Sequence, residues 1–272
     1  PQIKSATRAT PEGLACIQQT DDSLVVMDDA HERAVTMKTI DDATAVFALP
    51  AACAFNGKAG ARLVDSTGAI KTLCANATAF GRQGAALLVA CGDRVRWFDG
   101  AGNEIASNAR EIGNDVTALA ADDRWLLVGH KNGEINIVPL VAGLPAVSHL
   151  LDQTRPSEVT KLIVGPMNTL IAGQLDGNVS IWDLQSGALL ERVMLHGAVE
   201  HLLLDDKKLY AVSELGDPEV WDLGVLYLSR CELLQQVWSK VPSVWQEGRS
   251  VVRAPTAIGE CAPAVATTSA VP

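Results

Sequence analysis

The chain has 272 residues, 48% apolar and 20% charged, a composition that can bury a real core and excludes a disordered chain. Its formal net charge is −10 with no block of Lys or Arg, which excludes nucleic acid and anionic membrane as expected partners. No run of 18 uninterrupted apolar residues occurs, so no membrane-spanning helix is predicted.

Short apolar strands come in sets along the chain. The first set is IKSAT, LACIQQ and SLVVMDD, closing on Met27-Asp28 and followed by the turn DAHER. The second is ATAVFAL, ACAF and ARLVDSTG, closing on Val64-Asp65, and the third is ATAF, LLVAC and VRWFDGAG, closing on Phe98-Asp99. VTALAA, LLVGH and INIVPLVAG follow with Val138-Pro139, then VTKLIV, LIAGQ and DGNVSIWDLQSG with Trp182-Asp183. The sixth set is VEHLLL, LYAVS and PEVWDLG with Trp221-Asp222. Asn132-Gly133 and Asp176-Gly177 supply the positive φ that two-residue hairpins need. After the closing pair a turn leads to a fourth strand in the first five sets. The closing pairs are 37, 34, 40, 44 and 39 residues apart, a period that predicts an all-β propeller of about six four-stranded blades. A seventh blade is expected if a missing segment closes the ring. The start at Pro1, without Met or a charged-then-apolar leader, points to a processed chain or a piece of a longer one, with any signal peptide absent or removed.

Past Asp222 the pattern changes. Ser229 and Glu232 form an S-x-x-E capping box, and Leu234, Val237, Trp238 and Val241 recur on one helical face up to Pro242. A helix is therefore predicted over about 230–241, packed on the propeller rim. A strand over 249–254 is expected to complete the sixth blade. The domain reading is a propeller over 3–228, the helix and a turn over 229–248, and a strand and tail over 249–272.

The repeat resembles the WD40 family, most specifically in DGNVSIWDLQSG, VWDL and RWFD, over residues 3 to about 228. The Gly-His pair that opens such repeats is missing, and three units lack the Trp. The resemblance thus implies a divergent propeller held by apolar packing, without the family's hydrogen-bonded tetrad in most blades. The C-terminal run also resembles tails that follow WD40 arrays in multidomain bacterial proteins carrying kinase or NTPase modules.

Candidate chemistry is sparse. There is no G-x-S-x-G, H-E-x-x-H or phosphate-loop motif, and GKAGAR at 57–62 falls in a hairpin without a following helix. The five histidines lack metal-pair spacing. His196 and His201 lie nearest one another, in a loop and in the strand after it. The Asp-Asp pairs at 21–22, 28–29, 41–42, 122–123 and 205–206 all sit at predicted turns, where Asp bonds back to the backbone.

Of the six cysteines, Cys16, Cys53, Cys74 and Cys91 lie in apolar strands and read as free core residues of a reducing compartment, so a cytoplasmic location is expected. Cys231 and Cys261 bracket the C-terminal helix, where a disulfide is conceivable.

Function is then expected in the loops where the units differ. The candidate partner-binding residues are His130, Lys131, Asn132, Arg155, Gln174, Asp176, His196 and Glu214. The reading is a non-catalytic interaction or regulatory domain, part or partner of a bacterial signalling or defence assembly. It would bind another protein or an attached signalling domain, with no cofactor, metal or small-molecule substrate. Within that class, a subunit that holds an enzyme inactive is equally open. The alternative is a propeller enzyme, a metal-assisted or lactonase-like hydrolase with its site at the central channel. For that the inner strands offer mainly Thr, Ala and the pair Glu200-His201.

Overall fold

A computed structural model describes residues 3–8, 14–21, 23–28, 33–37, 45–49, 51–57, 60–105, 109–144, 149–150, 156–241 and 243–252. The chain divides into two compact units, Pro1–Leu204 with Tyr210–Glu219, and Asp205–Leu209 with Val220–Pro272. The short strands, many of them ended by Gly, Asn or Asp turns, pair with their sequence neighbours in antiparallel sheets. Sheet one is β1 (Ile3–Arg8), β2 (Ala15–Gln19), β3 (Leu24–Asp28) and β4 (Arg33–Met37), hydrogen-bonded in that order. Sheet two runs β5 (Ala45–Ala48), β6 (Ala52–Gly57), β7 (Gly60–Asp65), β8 (Ile70–Cys74). Sheet three runs β9 (Ala77–Gln83), β10 (Ala86–Cys91), β11 (Arg94–Phe98), β12 (Arg110–Glu111). Sheet four is β13 (Val116–Ala121), β14 (Trp125–His130), β15 (Ile135–Pro139) and β16 (His149–Leu150). Sheet five is β17 (Val159–Val164), β18 (Thr169–Gln174), β19 (Asn178–Asp183) and β20 (Leu189–Met194). Among the described residues sheet six has three strands, β21 (Val199–Asp205), β22 (Lys208–Ser213) and β23 (Pro218–Asp222).

Side chains alternate across each strand, so every inner sheet has one face toward the sheet before it and one toward the sheet after. On β14, Leu126 and Val128 join the core with Leu88, Ala90 and Trp97 of sheet three. Leu127 joins the core with Leu170 and Ala172 of sheet five. Gly129 lets the sheets close up, because a Cβ there would lie 2.6 Å from Val159 Cγ1. Gly173 does the same one sheet later, where a Cβ would meet Val199 Cγ1 at 2.5 Å.

Sheet six departs from this two-sided burial. Leu209 and Ala211 on β22 are fully buried, whereas Tyr210 and Val212 on its other face are only half-buried. Leu203 on β21 is 59% exposed, although Ala120, at the matching position of β13, is buried. Among the described residues, the side chains on that face of sheet six are therefore more exposed than their counterparts in sheets four and five.

Two expectations about strands and thiols are corrected. The strand expected over 249–254 does not complete sheet six. Instead β25 (Arg249–Val252) pairs with β24 (Ser243–Gln246) as a separate hairpin, since Glu247 and Gly248 at positive φ turn the chain back on itself. The strand cysteines are not free thiols. Cys16 on β2 is bonded to Cys53 on β6, with Cα atoms 5.8 Å apart, and Cys74 on β8 to Cys91 on β10, at 6.1 Å. Each bond joins neighbouring sheets, and loop closure over 37 and 17 residues is worth about 3–4 kcal/mol apiece in the chain-entropy model. Cys231 is also disulfide-bonded, while Cys261 lies outside the described residues.

The expected helix is present as α1 (Arg230–Lys240). Ser229 accepts from the Glu232 N–H, and the Glu232 carboxylate accepts from the Ser229 N–H at 2.7 Å. The capping bonds hold the Glu232 carboxyl below its usual range. Its apolar face is less covered than the helical periodicity implies, with Val237 and Val241 both exposed.

Candidate functional site: the loop end of sheets three to six

One hydrogen bond recurs at the same end of four sheets. The residue at the tip between the second and third strands donates its N–H to the carbonyl that precedes the first strand. The pairs are Gly92 to Asn76 (2.9 Å), Lys131 to Asp115 (3.0 Å), Leu175 to Glu158 (2.8 Å) and Glu214 to Ala198 (2.8 Å). Each hairpin tip is thereby clasped to the connection entering its own sheet.

The tips also touch the connection leading to the next sheet. A Cβ on Gly133 would lie 2.7 Å from the Ser157 carbonyl oxygen, and one on Gly177 would lie 2.7 Å from that of Gly197. Gly197 in turn places its ideal Cβ 3.2 Å from Leu215 Cγ. Ser157 Oγ accepts from the Asp176 N–H at 3.1 Å. The loops of sheets four, five and six thus form one continuous surface.

Side chains at the ends of the second strands strengthen the clasp. His130 is buried, with Nδ1 3.0 Å from the Asn114 carbonyl and Nε2 2.9 Å from Asn136 Nδ2. A carbonyl can only accept, so Nδ1 carries the proton and Nε2 accepts from the Asn136 amide. Gln174, equally buried, donates Nε2–H to the Ser157 carbonyl at 3.1 Å and accepts through Oε1 from Asn178 Nδ2. Between these loops of sheet four lies an open polar cavity of about 500 Å³, lined by residues including Asn114, Asp115, Lys131, Asn132, Glu134 and Asn136.

No known family model matches the sequence, and no curated protein does. Solved structures do. The computationally designed Ika8 protein aligns over 81% of this chain and 70% of its own, at 19% identity and a TM-score of 0.58. Hsv2p of Kluyveromyces lactis, a WD40 β-propeller, aligns over 86% of this chain and 78% of its own, at 15% identity and a TM-score of 0.55. Together with the antiparallel sheets stacked face to face, this decides the architecture. The chain has a propeller-like fold.

The sheets are then its blades, and the predicted site residues separate into two groups. Lys131, Asn132, Asp176, His196 and Glu214 are exposed on the continuous loop surface of blades four to six. His130 and Gln174 lie beneath it and hold its connections in place. Arg155 lies outside the described residues. Two residues of this surface that the sequence reading passed over are Leu175 and Leu215, 53% and 68% exposed at neighbouring tips. The available signal was an apolar residue inside a three-residue hairpin tip, where polar residues are usual.

Among the described residues no group of three His, Cys, Asp or Glu side chains is placed to bind a metal. On the first strand of blade six, the Glu200 carboxylate lies 3.8 Å from Lys161 Nζ of blade five. Asp122 and Asp21, each from one of the Asp-Asp pairs, serve their own turns, while Asp41 and Asp42 lie outside the described residues. Asp122 Oδ1 accepts from the N–H groups of Arg124 and Trp125 at 2.8 and 2.7 Å, and Asp21 Oδ1 accepts from Ser23 N–H and Oγ–H.

Proposed function

We propose that this domain is a non-catalytic interaction module whose binding face is the interlocked loop end of blades four to six. The observation that carries the reading is the pair of leucines, Leu175 and Leu215, held in water on tips that are themselves rigidly clasped. An apolar side chain kept exposed on a fixed loop is surface available to a partner. Around them the exposed charges are mainly acidic, with Asp115, Asp176, Glu214 and Asp217 against Lys131. This favours a protein partner that presents an apolar residue flanked by Lys or Arg, either a separate chain or an attached domain.

The experiment is site-specific photo-crosslinking from positions 132 and 196, with position 191 on the outer strand of blade five as control. The expected result is one partner captured from both loop positions but not from 191. Leu175→Ser with Leu215→Ser should weaken its binding by roughly tenfold or more. Capture from 191 as strong as from the loops, or binding indifferent to both leucines, would refute the assignment.

A further inference from the structure

The two inter-blade disulfides are not used by the loop surface, and they divide the molecule. Cys16 lies opposite Val26 on blade one, whereas Cys53 lies opposite Val64 on blade two, the repeat position of Met27. The one-residue offset puts the two sulfurs on opposite faces of their own blades, and so facing each other across the interface. Both are fully buried within one apolar cluster with Leu24, Val26, Phe55 and Val64. Cys74 and Cys91 repeat the connection from blade two to blade three. Blades one, two and three are therefore joined covalently in series.

Blades four to six are joined differently. Thr117 Oγ1 donates to the Val159 carbonyl at 2.7 Å, and Thr160 Oγ1, one repeat later, donates to the Val199 carbonyl at 2.7 Å. These bonds tie the inner strand of each blade to the next without sulfur. Among the described residues no cysteine is free. A chain whose thiols are consumed in bonds between structural elements fits an oxidising compartment, because cytosolic glutathione and thioredoxin keep such pairs reduced.

We propose that this propeller-like domain works in an oxidising compartment, with its first three blades held by Cys16–Cys53 and Cys74–Cys91, so that reduction loosens that half of the molecule and spares blades four to six. The inference stands independently of the partner-binding reading. Each bond forms by exchange with an oxidised thiol reagent such as glutathione disulfide. The protein's two thiols give up two protons and two electrons, and the reagent is released as two thiols. A phosphine or dithiol reductant reverses the step.

The test uses the full chain, produced with export to an oxidising compartment and alkylated at lysis to trap any free thiol. The unreduced digest is expected to contain the peptides of Cys16 and Cys53, and of Cys74 and Cys91, cross-linked and unalkylated. Hydrogen exchange with and without reductant should then show exchange in residues 14–91 accelerated by roughly tenfold or more and in 116–204 nearly unchanged. The exported Cys16→Ala/Cys53→Ala protein should stay folded on the remaining staple and melt about 5–15 °C lower. Finding these four cysteines alkylated or paired otherwise overturns the proposal. So does exchange that reduction leaves unchanged, or speeds equally across all six blades, or a variant that melts with the parent.

Discussion

Asp65, Asp99 and Asp183 occupy one repeat position, the second member of the pair that closes each unit, and all three serve the turn that follows. Asp99 Oδ1 accepts from the N–H groups of Ala101 and Asn103 at 2.9 and 2.7 Å, and Asp65 Oδ1 from Thr67 N–H and Oγ–H at 2.8 and 2.6 Å. Asp183 does the same with Gln185 and Ser186. The Asn103 N–H, then its side-chain amide, holds the Asp99 carboxyl below its ordinary value of 3.8. Because the folded pKa is the lower one, the bonds of the ionised group contribute fully above the unfolded pKa and are lost as pH falls through the folded one. Asp99→Ala should therefore lower Tm most well above the ordinary carboxylate value, with the deficit closing as the pH falls below it. Thermal melts of both proteins across that range check it. An Asp in a turn after an apolar pair was legible from sequence because its bonds are local. Cys16 was not, because its chemistry depends on a residue 37 positions away.

At the scale of the elements, each blade is fixed to its neighbours by a few contacts repeated with the period of the sequence. The tip-to-connection hydrogen bond recurs in blades three to six, and the Thr clasp recurs in blades four and five. Thr160→Val keeps the shape and removes the hydroxyl donor, leaving the Val199 carbonyl with one bond fewer. A loss of about 1–2 kcal/mol is expected, read as a lower urea midpoint at unchanged slope. The strand sets and hairpin tips were readable from apolar alternation and from Asn-Gly and Asp-Gly pairs. The 249–254 segment misled because an apolar run states that a strand forms, not which strand it pairs with. Residues 243–246 supplied a nearer partner through a two-residue turn.

On the scale of the whole molecule, the described residues of sheets four and five are buried on both faces, whereas those of sheet six are buried mainly on one. Ile171→Ala, at a fully buried position between blades five and six, should cost about 2–5 kcal/mol. Leu203→Ser, at a 59% exposed position of β21, should change stability by less than about 0.5 kcal/mol, since most of its side chain is already in water. Chemical denaturation of the two variants separates a packed position from an exposed one.

The amino-acid sequence by itself determined the strands, their period, the turn aspartates and the capped helix, since each follows from contacts within a few residues. The tertiary structure alone decided three things. It paired the strand cysteines between blades, sank His130 and Gln174 beneath the loop surface while leaving Leu175 and Leu215 upon it, and paired β25 with β24 instead of with sheet six. All three depend on which segments distant in the chain come to lie side by side, and a local pattern of polarity carries no information about that.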